Sequence, residues 1–255
     1  MEKIRKPFQG VANIIRFNWH FYVFASLAIL FILLVKTQFS NDFAVFFDFI
    51  VISIVGSTTL SLAVSYYIYD ASGLYELVFL DFLDLKKQHK MANINAGFDE
   101  TSAILQAKFP ETELSVYDFY DAERHTEISI ERARKVYPPF PNTQRINTAN
   151  IPCENATFDV VFLIFAAHEI RDDAERVLFF QEIKRILKPE GKVILIEHLR
   201  DVPNFLAYNI GFFHFLNKKT WQNTFSNAGF EILEEKKFTP FVSIFTVAPD
   251  LFGKK

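Results

Sequence analysis

The chain has 255 residues, of which half are hydrophobic, and a formal net charge of −3. This charge gives no broad basic field, which argues against a nucleic-acid partner. The single cysteine, Cys153, excludes a disulfide within the chain, and the Cys/His spacing of zinc modules is absent. Once a membrane segment is set aside, the remaining length fits one domain of ordinary size.

Two long apolar runs at 17–35 and 43–67 open the sequence. A membrane core of ~30 Å needs about 20 helical residues, so each run is long enough to span it. Only 36–42 separate the runs, which predicts a transmembrane hairpin within residues 1–70. A pair of buried helices in a soluble protein is the alternative. Asp48 in the second run is interpreted as structural, paired in the hairpin or near an interface, rather than as a functional polar site.

Basic residues flank the predicted hairpin on both sides, and by the positive-inside rule both ends of the chain face the cytoplasm. We therefore expect an integral membrane protein of a bacterial inner membrane whose C-terminal domain and both ends lie in the cytoplasm. The flanking residues are Lys3, Arg5, Lys6 and Arg16 before the first run and Lys86, Lys87 and Lys90 after the second.

Residues 71–90 follow as an amphipathic linker, in which apolar positions such as Leu74 and Leu77 alternate with acidic ones such as Glu76 and Asp84. The pattern predicts a helix that lies on the bilayer or covers the sheet.

From 91 to 255 short apolar strands alternate with helices, which is typical of a parallel α/β sheet. Strands are predicted at 91–96, 114–117, 145–148, 158–165 and 192–197. Helices are predicted at 102–109, 126–136, 173–187 and 219–228. The last two strands, 230–237 and 241–247, flank Thr239-Pro240 and predict an antiparallel β-hairpin.

Ligands of open α/β sheets bind beyond the carboxyl ends of the strands. Gly97 closes the first strand–helix turn, where a glycine lets a ligand approach the main chain. Asp118 ends the second strand, where a carboxylate can accept hydrogen bonds from ribose hydroxyls.

Three segments in the correct order resemble the class I S-adenosylmethionine-dependent methyltransferases of the type 11 group. Residues 147–161 (NTANIP…TFDVV) resemble that group's D-A-x-x-L-P…S-F-D-V-V. Residues 182–192 (EIKRILKPEGK) resemble its E-x-x-R-V-L-K-P-G-G, and 227–230 (NAGF) its x-A-G-F. The resemblance covers 91–248 and implies a Rossmann-like, seven-stranded α/β methyltransferase sheet with a C-terminal antiparallel hairpin.

The resemblance also implies a site for S-adenosylmethionine. Gly97, with Asn95 before it, would lie beside the methionine part and Asp118 on the ribose. Asn147 and Thr148 would lie near the adenine, and Ala166 would border the sulfonium.

Two departures from the family pattern stand out. The family's D-x-G-x-G-x-G loop is reduced to Gly97 with Asn95 in place of the acid, and the adenine-side acid is Asn147. Asp99 and Glu100 are expected to replace part of the missing charge.

Two polar clusters follow the fourth and fifth strands and are the candidate catalytic residues. A histidine can remove a proton from the methyl acceptor because its pKa lies near neutrality, and a carboxylate can orient it. His168 or His198 is the candidate base, oriented by Glu169, Glu197 or Asp201. His214 is a third candidate, because its phenylalanine neighbours suggest an apolar pocket wall. No H-E-x-x-H spacing is present, so no metal site is predicted.

These features predict methyl transfer to an O or C atom of a lipophilic small molecule, whether phenolic, quinone-like or polyketide-like. Pathway enzymes are the expected protein partners. A degenerate, non-binding domain that acts as a membrane scaffold is the alternative. A nicotinamide-dependent oxidoreductase is disfavoured because the dinucleotide glycine fingerprint is absent.

Overall fold

The computed structural model describes residues 5–39, 41–83, 85, 88–124 and 127–251. Its N-terminal part contains α1 (Gln9–Phe17), α2 (Trp19–Lys36) and α3 (Asn41–Tyr66). Lys3, Lys86 and Lys87, which support the predicted topology, and Asp84 of the predicted linker helix lie outside the described residues.

Helices α2 and α3 pack against each other as the hairpin that the sequence predicts. Both are long and apolar enough to cross a membrane by length and composition. Most of their large side chains are exposed, as in Phe31 and Phe49 at 67% and 68%, so the described part of this chain does not bury them. Lys36 Nζ lies 2.5 Å from Asp48 Oδ1. This ion pair confirms the structural interpretation of Asp48.

Helix α1 is an element that the sequence analysis did not predict. Its buried residues, Gly10, Asn13 and Phe17, lie on one helical face, but two of them are not apolar, and the apolar pattern therefore gives no signal. The backbone N–H groups of Gly10 and Val11 each donate to a carboxylate oxygen of Asp70 at 2.8 Å. A carboxylate at a helix N-terminus accepts hydrogen bonds from the free N–H groups and interacts favourably with the positive end of the helix dipole. Asp70 therefore attaches α1 to the end of α3.

The continuous linker helix predicted from residue 71 is wrong. After a π-helical turn at Tyr67–Ala71, the chain forms only the 3-10 turns Leu74–Glu76 and Val78–Leu80. Positive φ angles at Gly73 (78°) and Leu77 (50°) interrupt the helix. Leu74, Leu77, Phe79 and Leu80 are all buried, which one straight amphipathic helix could not achieve because adjacent residues point in different directions.

The second part is an α/β domain with seven strands, which confirms the predicted fold. The strands are β1 (Lys90–Asn95), β2 (Glu113–Asp118), β3 (Gln144–Arg145), β4 (Phe158–Ile164), β5 (Leu187–His198), β6 (Phe230–Thr239) and β7 (Val242–Pro249). Their order in the sheet is β3-β2-β1-β4-β5-β7-β6. Strands β1 to β5 pair in parallel, and β7 pairs antiparallel with both β5 and β6.

Five further helices belong to this domain: α4 (Ser102–Lys108), α5 (Ile128–Arg134), α6 (Asp173–Ile186), α7 (Val202–Tyr208) and α8 (Lys218–Ala228). Helices α6 and α8 bury Phe179, Phe180, Trp221 and Phe225 against one face of the sheet. The end of α3, the linker turns, α4 and α7 cover the other face. The C-terminal end of α3 and the turn after it, which contribute Val64 and Ile68, are therefore part of the core of the sheet domain.

Two strands differ from their predicted bounds by more than two residues. The predicted strand 145–148 is cut to two paired residues, because the side chain of Asn147 accepts from the Ala149 N–H at 2.7 Å and turns the chain. Strand β5 begins at Leu187 rather than at 192, but its register against β4 shifts between Leu187 and Lys192, so residues 188–191 form an irregularity in the pairing. The first change moves the carboxyl end of β3 back to Arg145, which leaves Asn147 and Thr148 in the turn that follows, and the second leaves the carboxyl end of β5 in place.

Candidate functional site

The loop after β1 makes a tight turn around Gly97. Its φ is +94°, and a Cβ atom at this position would lie 2.3 Å from Arg134 Nη1 and 2.9 Å from Tyr120 Cβ. The Gly97 N–H donates to Asn95 Oδ1 at 2.9 Å, while Asn95 Nδ2 is buried without a hydrogen-bond partner. A buried donor without an acceptor costs free energy, so the side-chain N–H of Asn95 is available to donate a hydrogen bond to a ligand.

Asp118, at the end of β2, is the predicted acceptor for ribose hydroxyls. Its Oδ1 accepts from the Tyr120 N–H at 2.9 Å, and its Oδ2 accepts from Arg134 Nη1 at 2.6 Å. The Arg134 guanidinium also lies over the ring of Tyr120, 4.4 Å from its centroid. Arg134 of α5 therefore occupies the space between Gly97 and Asp118 in this conformation.

Two open cavities flank the loop that follows Asp118. One, of about 570 Å³, is lined by Tyr120, Ala122, Glu127, Glu131, Arg134 and Lys135. The other, of about 500 Å³, is lined by Arg124, Asn147, Thr148, Ala149, Asp172, Ala174, Glu175 and Leu178. Both volumes fall in the range of small-molecule sites. Asn147 and Thr148 therefore lie at a cavity next to Asp118, and Ala166 is buried just beyond the end of β4.

Glu100 does not supply the charge that the sequence analysis expected in the cofactor loop. Its Oε1 accepts from Arg5, Gln9 and Asn13 at 2.6, 3.3 and 3.0 Å, and its Oε2 accepts from Tyr75 at 3.0 Å. The carboxylate is fully used in attaching the N-terminal segment. Asp99 instead caps α4 through the backbone N–H groups of Thr101 and Ser102.

The polar cluster at the ends of β4 and β5 consists of His168, Glu169, Glu197 and His214. His168 Nδ1 lies 2.6 Å from Glu197 Oε2, and the His168 N–H donates to Glu197 Oε1 at 3.2 Å. His168 Nε2 lies 3.1 Å from Glu169 Oε1, and His214 Nε2 lies 3.3 Å from the same oxygen. Both carboxylates are at least 95% buried, with 5% and 0% of the side chains of Glu169 and Glu197 exposed. The cluster therefore combines four of the six candidate catalytic residues, whereas Asp201 caps α7 and pairs with Lys237.

The charges of the cluster are strongly coupled. Burial by itself lowers the pKa of His168, but the charges of Glu197 and Glu169 and the bonds to them overcome this and raise it to about 10. Burial raises the pKa of Glu169, yet the hydrogen bonds from His168 and His214 leave it far below its usual value. The cluster thus holds positive charge tightly between buried carboxylates.

His198 does not join this cluster, although the sequence analysis expected three histidines to converge. Successive residues of a strand point to opposite faces, so Glu197 and His198 face different layers. The His198 ring stacks between Phe165 and Phe215, each with its centroid 4.9 Å away. Its Nε2 accepts from Tyr69 Oη at 2.7 Å when Nδ1 carries the proton and donates to Phe241 O at 2.9 Å. Tyr69 belongs to the turn that ends the apolar hairpin.

Burial lowers the pKa of His198 to about 4, although its bond to Phe241 O opposes the shift. The titratable groups around or acting on the ring are Tyr69, Tyr208, His168 and Asp201. Because the unfolded chain takes up a proton near pH 6.5 and the folded ring does not, stability should fall as the pH drops from 6.5 towards 4. The loss is about 3 kcal/mol at most.

Thermal unfolding in detergent between pH 8 and pH 4 checks this expectation against His198→Gln, whose amide can keep both bonds without titrating. The variant should lose less stability than the wild type over the same interval. Equal acid sensitivity of the two proteins would contradict it.

Sequence reasoning missed Arg134, Tyr120 and Tyr69 as neighbours of the site. Arg134 and Tyr69 come from helix ends, outside the strand-end loops that the search covered, and Tyr120 follows Asp118 with no motif of its own. The ligand atoms of His168, Glu169 and His214 lie within 4.8 Å of one another, a grouping that could hold a metal ion and that the sequence analysis did not find. His214 is 45 residues from Glu169 in sequence, so no local spacing indicates the group.

A model of the methyltransferase domain family matches residues 112–195, from β2 into β5. The ubiquinone/menaquinone biosynthesis C-methyltransferase UbiE of Campylobacter jejuni is 25% identical over 199 residues, which cover 66% of this chain and 82% of that protein. Among solved structures, a SAM-dependent methyltransferase from Aquifex aeolicus matches with TM-score 0.50, 15% identity and coverage of 75% of this chain and 97% of that one. A Pyrococcus horikoshii protein matches with TM-score 0.51, 18% identity and coverage of 68% and 87%. These two structures show the fold, and the sequence matches add the activity. The chain is therefore a methyltransferase whose cofactor is S-adenosylmethionine.

Proposed function

We propose that this enzyme transfers the methyl group to an O or C atom of a lipophilic small molecule at a membrane, and that the acceptor is phenolic, quinone-like or polyketide-like. The observation that carries the proposal is the junction between the apolar hairpin and the strand ends. Tyr69, at the foot of α3, donates to His198 at the end of β5. The hairpin therefore holds the candidate site next to the place where a lipid-soluble acceptor would be concentrated.

An exposed apolar strip beside the hairpin supports a lipophilic acceptor. It is formed by α7 and the 3-10 turn Asn209–His214, and α7 packs against α3. Its exposed side chains include Val202 and Ile210, at 70% and 81%, followed by Phe213 at 61%. A contiguous apolar surface of this kind indicates a membrane or ligand contact. The strip ends at His214, so an acceptor whose apolar tail lies on the strip would have its reactive ring next to the polar cluster.

The cofactor residues proposed here are Asn95, Gly97, Asp118, Asn147, Thr148 and Ala166. The unused Nδ2 donor of Asn95 and the glycine turn support this assignment, as do the cavities beside Asp118. When bound, S-adenosylmethionine supplies an electrophilic methyl carbon on a sulfonium. The chain itself contributes the acceptor for ribose hydroxyls and the space above Gly97. The residues present fit the group, provided that Arg134 moves.

Replacing Arg134 by alanine is expected to tighten the binding of S-adenosylmethionine about tenfold, or by about 1.4 kcal/mol. The change empties the space above Gly97, frees Asp118 Oδ2 and removes a cation from beside a cationic cofactor. Isothermal titration of the full-length protein in detergent measures the effect. Lys90→Ala removes the same charge from the amino-terminal end of β1, away from the strand ends that form the site, and should leave the affinity unchanged. Weaker binding by Arg134→Ala would instead identify Arg134 as a cofactor contact.

The same proposal places both ends of the chain and the sheet domain in the cytoplasm, at a bacterial inner membrane. Arg5, Lys6 and Arg16 before α2 support this orientation. Lys36, near the short connection between α2 and α3, is paired with Asp48 and adds little net charge on the other side. The relative from Campylobacter jejuni, named as a C-methyltransferase of ubiquinone/menaquinone biosynthesis, supports a quinone-like acceptor.

Methyl transfer to two acceptors that share one phenolic ring tests the proposal. One acceptor carries a long isoprenoid tail and the other a short soluble chain, and both are offered to the full-length protein in lipid nanodiscs with radiolabelled S-adenosylmethionine. We expect the tailed acceptor to have the lower KM by about tenfold or more, because it concentrates in the bilayer. Equal KM values, or labelling of the soluble acceptor alone, would contradict the proposal.

A matched pair of variants locates the acceptor. Ile210→Ser on the strip should raise the KM of the tailed acceptor and leave that of the short one unchanged. Leu233→Ser, at a half-exposed position on β6, should change neither. An equal effect of both variants would mean that the strip does not hold the tail.

A further inference from the structure

The polar cluster has the ligand set and geometry of a metal centre. His168 Nε2 and His214 Nε2 lie 3.1 Å and 3.3 Å from the shared oxygen Glu169 Oε1, and one ligand atom from each of the three side chains lies within 4.8 Å of the other two. Two ligands bound tetrahedrally at 2.0–2.1 Å to one ion are about 3.3–3.4 Å apart. We propose that these three side chains bind one divalent transition-metal ion. This inference rests on the proposed function for the role of the ion, but its binding is tested separately.

Glu197 supplies the outer partner that metal-bound histidines usually have. Its Oε2 is 2.6 Å from His168 Nδ1 and its side chain is fully buried. A carboxylate that accepts from Nδ1–H fixes the tautomer in which the Nε2 lone pair is free to bind the ion. Glu197 also accepts from the His168 backbone N–H, so the ring and its backbone are held by the same group.

A bound ion would take the place of the protons that the cluster otherwise shares. If no ion is bound, His168 and His214 must each present an Nε2–H to the same oxygen of Glu169, while His168 also gives Nδ1–H to Glu197. His168 would then be doubly protonated. With an ion, both rings are neutral at Nε2, and the charges of two buried carboxylates are balanced in one place. Two histidines and one carboxylate are ligands that Zn²⁺, Fe²⁺ and Co²⁺ accept.

Two neighbours of His214 modulate the site. Arg171 Nη2 lies 2.5 Å from His214 Nδ1 and 3.1 Å from His214 Nε2, and Arg171 Nη1 donates to the backbone carbonyl of His214. A guanidinium only donates, so His214 Nδ1 is the acceptor in this conformation, and binding of an ion through Nε2 requires Arg171 to withdraw. Glu127 Oε2, 3.6 Å from His214 Nδ1, is the acceptor available to a proton on this nitrogen once Arg171 has withdrawn.

Three protein ligands leave a coordination position for another group. The cluster adjoins the exposed strip that ends at Phe213, so the oxygen of a phenol or enol acceptor could take that position. A bound divalent ion lowers the pKa of an oxygen it coordinates, which would generate the nucleophilic oxyanion without a side-chain base. The ion therefore assigns the cluster to activation of the acceptor rather than to cofactor binding.

Cobalt titration of the full-length, tag-free protein in detergent, after treatment with a chelator, tests the proposal. We expect the visible ligand-field absorption of protein-bound Co²⁺ at one ion per chain, and its loss when Zn²⁺ is added. Glu169→Gln and His214→Asn should weaken binding by at least about 100-fold and Glu197→Gln by about 10- to 100-fold. Arg171→Gln should tighten it. His89→Asn, at the start of β1, is the matched control and should bind as the wild type does.

Absence of the cobalt band, or a band that Glu169→Gln and His214→Asn both retain, would overturn the metal site. Binding of S-adenosylhomocysteine reports whether each variant is folded and should be unaffected by the chelator. Full methyl transfer in the presence of chelator overturns the metal proposal and leaves the proposed function standing. A normal cobalt site without methylation of a lipophilic acceptor overturns the proposed function and leaves the metal site standing.

Discussion

Glu197→Ala is expected to destabilise the protein by about 3–5 kcal/mol, the usual cost of breaking a buried charge pair by removing one partner. Glu197 is fully buried and accepts from both the backbone N–H and Nδ1 of His168. Without it, His168 keeps a buried donor with no acceptor, and Glu169 has to balance the remaining charge alone. We also expect loss of methyl transfer, because the ring of His168 is no longer oriented.

Thermal and denaturant unfolding in detergent, followed by tryptophan fluorescence, measures this effect. Glu190→Ala is the matched control because Glu190 is exposed on the same strand, and it should change stability by no more than about 0.5 kcal/mol. Equal and small effects of the two variants would mean that the His168–Glu197 pair contributes nothing to the fold. Glu197→Gln should fall between them, since an amide oxygen can still accept one bond.

Gly97→Ala is expected to abolish measurable binding of S-adenosylmethionine, a loss of at least about 100-fold, which corresponds to about 2.7 kcal/mol. A φ of +94° strains any residue with a Cβ, at a cost of about 1–3 kcal/mol. The new methyl group would also occupy the space beside Tyr120 that we propose for the cofactor. Arg134→Ala empties the same space, so the two substitutions should change affinity in opposite directions.

Gly211→Ala provides the control, because a Cβ there would meet its nearest neighbour, Tyr208 Cβ, at an ordinary 3.7 Å. It should bind the cofactor as the wild type does. Titration calorimetry with S-adenosylhomocysteine compares the three proteins. Near-normal affinity of Gly97→Ala would show that the cofactor does not approach this turn.

The sheet could be predicted from the sequence because parallel strands buried on both faces are continuous apolar runs. Val160 to Leu163 in β4 and Val193 to Ile196 in β5 are such runs, and the second is followed by the helix and hairpin of the C-terminus. The linker could not be predicted, since its amphipathic pattern is equally compatible with a helix and with turns whose leucines enter the core. The left-handed conformations of Gly73 and Leu77 decide between them, and that of Leu77 has no signal in the sequence.

The part of the candidate site that lies at the carboxyl ends of the strands could be predicted, because ligands of open α/β sheets bind there. That rule selects Gly97, Asp118, His168 and Glu197, and the structure places each of them beyond a strand end or at it. It gives no information on which face of β5 a residue occupies, so His198 was grouped with Glu197. It also cannot find side chains that arrive from helices, such as Arg134. The roles of all these residues in catalysis and binding stay predictions until the variants are measured.

The attachment of α1 limits how a water-soluble form of the enzyme can be made. Deleting residues 1–70 as one block would remove three of the four side chains that bind Glu100, and Asp70 with them. It would also uncover the core where Ile68 packs. A truncated protein should instead keep residues 5–17 and everything from about 64 onward, and replace only the apolar helices between them with a short polar linker. The apolar hairpin that we propose to meet lipid is thus an insertion within one folded unit, since chain segments on both sides of it pack into the same structure.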